Sequence, residues 1–592
     1  MSLATFSDRR PFHAAGRFSV SGAPLLFALA GLIVLLPILR LVWEVAGPMA
    51  TGDLTALTRV LTSKMTWRAT GNSVAIAAGA TVVAAALGVP FALLCGLTNL
   101  RGKTALAFCL ILPLMIPAQI VALSWIHLAG SGSPLLKPLG LAPAPGTPNP
   151  VYSSAGMILV MGIEHAPLVF LALRAALRAV PRDLVEAAQA AGARRGRVLR
   201  TIVLPLSLPG LAAGLALSFV AALGNFGVPA LLGIPAGIPV LPTLIYRRLA
   251  GFGPSVLPEV AVLAVLIGAI ACVGIAAQMV LQARVDARVI GGSAPAAVLR
   301  LGRARRPLEI LCWAVVALIL AAPLAALAST SLIRVYGLPL GPETATLAHY
   351  ATVLGLDQVG RAFTNSFVLS GAAALLLVLL AIPLAHAMAG PGKGGRLVRA
   401  VGVLIELPHA VPGVVLAIGC ILVFLKPLPL LSVSLYGTLG IILAAYLARF
   451  LSLALRPAQA ACAALDPAME EAARACGAGP LRRLRTIVAP LVAPAAAAGG
   501  VLVFLTAFNE LTVSILLWSQ GRETLGVVVY ALEEGGSPTL AAALSVVTIA
   551  VVVAVLAEDS PVASTVSCRR LTRRAWVLDN SESNTHTLTA LA

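Results

Sequence analysis

Charge is what this sequence has least of. Asp, Glu, Lys and Arg together make up 11% of its 592 residues, less than half the roughly 25% of an ordinary soluble domain. A chain this poor in charge cannot coat a water-facing surface of such length. That excludes an ordinary soluble enzyme and a disordered protein. Aromatic residues are only 5%, and no aromatic or groove-reading module for nucleic acid is visible. The eight cysteines, at 95, 109, 272, 312, 420, 462, 476 and 568, form no CxxC and no metal-type spacing. Most sit in or beside apolar runs, where a free Cys behaves as a small hydrophobe. A phosphate-binding loop of the GxxxxGK[ST] type is also missing. The stretch 390–395 (GPGKGG) has neither its spacing nor a following Ser or Thr. The chain is not expected to hydrolyse ATP, to bind a cofactor or to hold a metal ion.

What is abundant is apolar sequence: 59% hydrophobic residues and a mean hydropathy of +0.97. Twelve apolar runs are long enough to span a bilayer. They lie near 18–39, 70–95, 105–128, 151–173, 206–232, 260–283, 310–333, 364–389, 401–425, 433–455, 491–517 and 535–557. The first is 22 residues long and follows Arg9, Arg10 and Arg17. That is too long for the apolar core of a cleaved signal peptide, so it reads as an uncleaved first helix. The net charge of +19, from 42 Lys+Arg against 23 Asp+Glu, then finds its place through topology. With the N-terminus inside, thirty of the 42 basic residues fall in inside segments and ten in outside loops. Such a bias is the signature of cytoplasmic loops, so both termini are expected in the cytoplasm. The fold class is an all-α polytopic membrane protein in contact with lipid, with no nucleic-acid partner.

The two halves repeat each other. Asn72-Ser73 opens the second span and Asn365-Ser366 the eighth. LPLMIP at 112–117 matches LPHAVP at 407–412. After the fourth and tenth spans come Glu186-Ala187-Ala188, Gly192, Ile202, Leu204, Pro205 and Glu471-Ala472-Ala473, Gly477, Ile487, Ala489, Pro490, at a constant offset of 285. Each half carries six spans, an even number, so the second inserts in the same orientation as the first. The result is a pair of parallel six-helix repeats. The chain divides into 1–67 with the first helix, a first repeat domain at 68–283, a cytoplasmic linker at 284–308, the seventh helix and outer loop at 309–360, a second repeat domain at 361–557 and a tail at 558–592 without apolar periodicity, expected to be disordered.

The segments 181–200 and 466–485 are Ala-rich and favour helix. Pro181-Arg182-Asp183 and Asp466-Pro467 offer helix starts, and Gly192 and Gly477 fit a C-terminal turn. Basic residues follow: Arg194, Arg195, Arg197 and Arg200 in one half, Arg482, Arg483 and Arg485 in the other. A short cytoplasmic helix with small side chains can enter a groove on a partner.

Glu-Ala-Ala, three residues, Gly, nine residues, Ile-x-Leu-Pro is the signature of the membrane subunits of binding-protein-dependent ABC importers. The sequence resembles that family in both halves, over about 68–283 and 361–557, with Ala489 where Leu is usual. The resemblance implies that Glu186, Ala187, Ala188, Gly192 and Pro205, with Glu471, Ala472, Ala473, Gly477 and Pro490, form two helices that dock into an ABC ATPase subunit, in two copies, which uses ATP and Mg. It implies an extracytoplasmic solute-binding protein as the second partner, and the bacterial inner membrane as the location. The fused form resembles the ferric-iron and thiamine permease branch, and the stretches at 223–235 and 508–518 look most like ferric-iron members. Similar chains serve 2-aminoethylphosphonate or polyamines. A secondary transporter without an ATPase is the reading from a different class.

Ionisable residues inside spans are costly and are functional candidates by default. Glu164 in the fourth span and Arg449 in the tenth hold the same repeat position; either they form an ion pair across the halves or each snorkels to its own interface. Glu510 in the eleventh span, beside Asn509, shares its repeat position with Asn225 in the fifth. Both are candidates for the pathway or its gate. His127, His386 and His409 read as structural.

Overall fold

The computed structural model describes residues 23–558, apart from 252, 254, 285–299, 390–400, 403, 407, 409–410 and 428–433. The tail, most of the linker, the basic stretch at 393–399 and His409 therefore lie outside the described residues. Among the described residues every regular element is helical.

The first half contains α1 (Ala23–Ala50), the short α2 (Thr55–Thr62), α3 (Lys64–Leu97), α4 (Lys103–Met115), α5 (Ala118–Ala129), α6 (Ser154–Ala179), α7 (Arg182–Ala190), α8 (Gly196–Gly224), α9 (Leu241–Leu249) and α10 (Val256–Arg284). The second contains α11 (Gly302–Leu332), α12 (Ala348–Leu354), α13 (Asp357–Ala389), α14 (Gly413–Phe424), α15 (Leu439–Ala464), α16 (Pro467–Ala475), α17 (Pro480–Phe508), α18 (Leu525–Glu534) and α19 (Pro538–Glu558). Ten of these are long and apolar enough to cross a membrane as single helices.

Of the twelve expected spans, ten are single helices long and apolar enough to cross a membrane; the third and the ninth are not. The third is a pair, α4 and α5, bent by 103°, and the described helix of the ninth is only α14. Pro117 and Pro412 stand at the N-cap positions of α5 and α14. Each pushes the preceding residue out of helical geometry, a break that apolar continuity conceals. The fifth and eleventh spans also end earlier than their apolar runs, at Gly224 and Phe508. There Asn225, Asn509 and Glu510 turn the chain before it enters short helical segments at Pro229–Gly233 and Ser514–Leu517.

Within each half the same three helices pack together: α3 on α6 and α8, α13 on α15 and α17. A matched polar clamp fixes the outer short helices. Asn72 donates to the Pro239 carbonyl at 2.8 Å and the Ser73 hydroxyl accepts from Leu241 N–H at 2.8 Å. Asn365 donates to the Glu523 carbonyl at 2.9 Å, and Ser366 accepts from Leu525 N–H at 2.9 Å. The repeated Asn-Ser is thus a pin for the start of α9 and α18. Between halves the packing is crosswise. The first helix, α1, packs on α14 of the second half, while α11, the first of the second half, packs on α5 of the first.

The repeated LRTIV at 199–203 and 484–488 forms a π-turn in each half. Pro205 and Pro490 follow directly. A proline has no N–H and its ring crowds the carbonyl four residues back, so a local widening of the helix removes the conflict. Leu204 N–H then reaches Leu199 O, and Ala489 N–H reaches Leu484 O. Ala489 contributes backbone to this turn, so its departure from Leu leaves the turn intact.

A candidate translocation cavity and two docking helices

The two candidate docking helices, α7 and α16, form where the sequence indicates. Asp466 caps α16 by accepting from Ala468 N–H at 2.9 Å. Gly192 and Gly477 close α7 and α16 with φ of +80° and +79°, a left-handed geometry that a side chain would strain. Ala193 N–H bonds Ala188 O, and Ala478 N–H bonds Ala473 O, both at 2.9 Å, in the pattern of a Schellman turn. Glu186, Ala187, Glu471 and Ala472 are exposed, Ala188 and Ala473 half-buried. Leu184 and Met469, at matching positions, are exposed as well. Each helix therefore presents an apolar knob beside an acid.

Their undersides differ. Val185 and Val198 are buried under α7. The equivalent residues under α16 are Glu470 and Arg483. The Glu470 carboxylate lies 3.4 Å from His386 Nδ1 on α13 and 4.0 Å from the Arg483 guanidinium, whose side chain is buried.

Between the halves lies a cavity of about 400 Å³. Its walls come from α4, α5, α6, α8, α10, α14, α15 and α17, so both halves are needed to make it. All four intramembrane candidates, Glu164, Asn225, Arg449 and Glu510, line it. They are not paired as expected. Glu164 is held inside its own half, where Asn225 Nδ2 donates to both carboxylate oxygens at 3.1 and 3.0 Å. Arg449 faces Glu510 of its own half, Nη2 to Oε2 4.0 Å. The expected Glu164–Arg449 pair is therefore corrected to two clamps, one per half. Repeat equivalence relates residues through an axis, while the nearest polar neighbour is on the next helix of the same half.

Asn225 and Glu510 also do the same backbone work. Asn225 Oδ1 accepts from Val228 N–H at 3.1 Å, and Glu510 Oε1 accepts from Val513 N–H at 2.9 Å. Each shapes the turn that ends its span. Across the halves, Asn509 Nδ2 donates to the Met115 carbonyl at 2.8 Å. Gly224, at the repeat position of Asn509, sits against Pro412, whose Cβ would lie 3.0 Å from a methyl there. Buried Phe226 takes Tyr246 of α9 and Tyr530 of α18 edge-on, centroids 5.2 and 6.1 Å apart, packing the two short helices against the Asn225 turn. Glu406 and Arg456 form a two-pronged pair at 2.9 and 2.5 Å elsewhere on the cavity wall.

Several residues of the cavity escape sequence reasoning. Gln119, Gly413 and Asn509 carry no motif, although Gly413 stands out once LPLMIP and LPHAVP are aligned, because Ala118 is its counterpart. Among the described residues no group of three or more His, Cys, Asp and Glu side chains is placed to hold a metal ion.

Residues 88–291 and 378–558 match the family described as the binding-protein-dependent transport system inner membrane component. Two copies of the family domain cover more than half the chain, and the chain belongs to this family of ABC importer permeases. A probable ABC transporter permease protein of Sinorhizobium fredii is 28% identical over 542 residues, 89% of this chain and 92% of that protein. An Fe(3+)-transport system permease protein of Haemophilus influenzae is 34% identical over 169 residues, 28% of this chain and 32% of that protein. The molybdenum transport system permease protein of Escherichia coli is 32% identical over 186 residues, 30% of this chain and 78% of that protein. A solved bacterial ABC transporter involved in import of the acidic polysaccharide alginate aligns with a TM-score of 0.34 at 19% identity, over 45% of this chain and 98% of that chain.

Proposed function

We propose that this single chain supplies the whole transmembrane pathway of its importer. The observation that carries this is the cavity, whose walls come from both halves. Two ATPase subunits dock on α7 and α16, and their closure is transmitted through the π-turns into α8 and α17. Those helices end at the gate turns of Asn225 and Glu510, so a push on the docking helices reaches the gate through one continuous rod in each half. A solute-binding protein delivers cargo from the outside, and both termini lie in the cytoplasm.

The cargo is a small inorganic ion. Ferric iron is supported by the likeness of 223–235 and 508–518 to ferric-iron permeases and by the Haemophilus relative. An oxyanion is the second reading. It is favoured by the state of the cavity carboxylates: Glu164, Glu406 and Glu510 are all engaged by Asn225, Arg456 and Val513 N–H, respectively.

The test is reconstitution with the cognate ATPase and binding protein in proteoliposomes, with uptake of radiolabelled Fe(III) and of molybdate measured side by side. ATP-dependent uptake of one is the expected result. Uptake driven by an ion gradient with no ATPase bound would overturn the importer mechanism for this chain.

A further inference from the structure

The broken third and ninth spans place two helix starts at the cavity. Pro117, Ala118 and Gln119 open α5, and Pro412 and Gly413 open α14, all on the cavity wall. Both helices are 12 residues long, and the positive end of each dipole meets the cavity from one half. Two side chains there have buried polar atoms without a hydrogen-bond partner. Gln119 is 1% exposed, and neither atom of its amide has a hydrogen-bond partner. Arg449 Nη1 is buried without one.

The Arg449 guanidinium lies on the first residue of α14. A Cβ at Gly413 would fall 1.6 Å from Nη1, so only glycine allows this position. The first half has Ala118 and Glu164 at the corresponding places. The arginine and the glycine therefore occur together in one half and are both replaced in the other. Glu510 lies 4.0 Å from the Arg449 guanidinium and spends Oε1 on a backbone N–H. Arg449 is also more exposed than the acids beside it, at 21% of its side chain against 12% for Glu164 and 10% for Glu510.

We infer that Arg449, Gln119 and the two helix starts form a transit site for a tetrahedral oxyanion. The guanidinium and the amide N–H donate to the oxygens, and the helix starts supply fixed positive potential. The weak contact with Glu510 gives way when the anion arrives and re-forms when it leaves, so the charge of Arg449 is not stranded. The inference rests on the oxyanion reading of the cargo.

The experiment measures binding of radiolabelled molybdate to the full-length chain in lipid nanodiscs, with sulfate as competitor, and in parallel ATP-dependent molybdate uptake by the reconstituted complex. Arg449→Gln is expected to weaken binding at least about tenfold, the loss of one charged hydrogen-bonding partner. Gln119→Ala is expected to weaken it less, and Gly413→Ala to mimic Arg449→Gln by displacing the guanidinium. Arg305→Gln, on the Arg305–Glu309 pair away from the cavity, is the control with unchanged binding. Size-exclusion profiles and thermal melts show that each variant is folded. Unchanged binding in folded Arg449→Gln and Gly413→Ala, with uptake intact in the wild type, overturns the site alone. Uptake of Fe(III) and no binding of molybdate or sulfate overturns the oxyanion reading with it.

Discussion

The two halves of this permease share a scaffold and differ in what they place on it. Both have the Asn-Ser pin, the π-turn before the motif proline, a docking helix closed by a left-handed glycine and a polar turn at the gate. Several inward-facing residues at equivalent places diverge. Val185 and Val198 under one docking helix become Glu470 and Arg483 under the other. Glu164 with Asn225 becomes Arg449 with Glu510. The outward docking faces, by contrast, keep an apolar knob, an acid and an alanine. On the docking reading proposed above, duplication preserves what an identical partner would read twice and releases the rest, because a fused chain never has to pair with a copy of itself.

The largest expected effect comes from breaking what the halves share. Gly477→Pro or Glu186→Arg is expected to abolish uptake and uncouple the ATPase while the protein still inserts, read as ATP hydrolysis against uptake in the same vesicles. Normal uptake by both variants would sink the docking role.

The next effect separates the two undersides. Glu470→Val alone leaves Arg483 buried without its carboxylate and is expected to cost on the order of 3 kcal/mol, seen as a lower melting temperature. Glu470→Val with Arg483→Val rebuilds the valine pair of the first half and is expected to recover most of that loss. Equal loss in single and double variants would mean that the charges are not coupled.

A smaller effect probes the clamps. Building the second clamp into the first half needs Glu164→Arg and Asn225→Glu, but the arginine also needs room. Adding Ala118→Gly is expected to raise the yield of folded protein over the two substitutions alone, as Gly413 does for Arg449. No gain would show that the glycine serves another purpose.

The smallest effect concerns α18, outside the spans. Burial holds the Glu533 carboxyl up at about 7, and its Oε2 has no hydrogen-bond partner. The folded protein therefore binds this proton more tightly than the unfolded chain. Its stabilising contribution is full below the unfolded value near 4.5 and is lost as pH rises through about 7. Glu533→Gln is expected to lessen the fall in melting temperature between pH 5 and pH 8. An unchanged profile would contradict this.

The repeat, most of the span positions and the two short cytoplasmic-motif helices α7 and α16 were legible in the sequence. Asp466 caps where it should, and Gly192 and Gly477 turn where they should, because caps and turns are local chemistry. The breaks at Pro117 and Pro412 were harder to see, since apolar residues run across them and hydropathy has no sense of backbone angle. The pairing of Glu164 and Arg449 was misread for another reason. Sequence spacing reveals equivalence, but proximity depends on which helices touch, and α6 touches α8 of its own half. Gln119 and Gly413 became meaningful only when a cavity was there for them to face.

The crosswise packing has a consequence for biogenesis. The first helix leaves the ribosome long before α14, on which it packs, since that partner begins at Gly413. At about 5–20 residues per second, α1 waits some tens of seconds in the bilayer for its neighbour. Its neighbour in the first half, α10, begins only at Val256, so until that helix is made α1 must persist as a lipid-immersed helix. Its run of Leu, Ile and Val, with a single ion pair between Arg40 and Glu44 at 2.6 Å, is the composition such a wait demands.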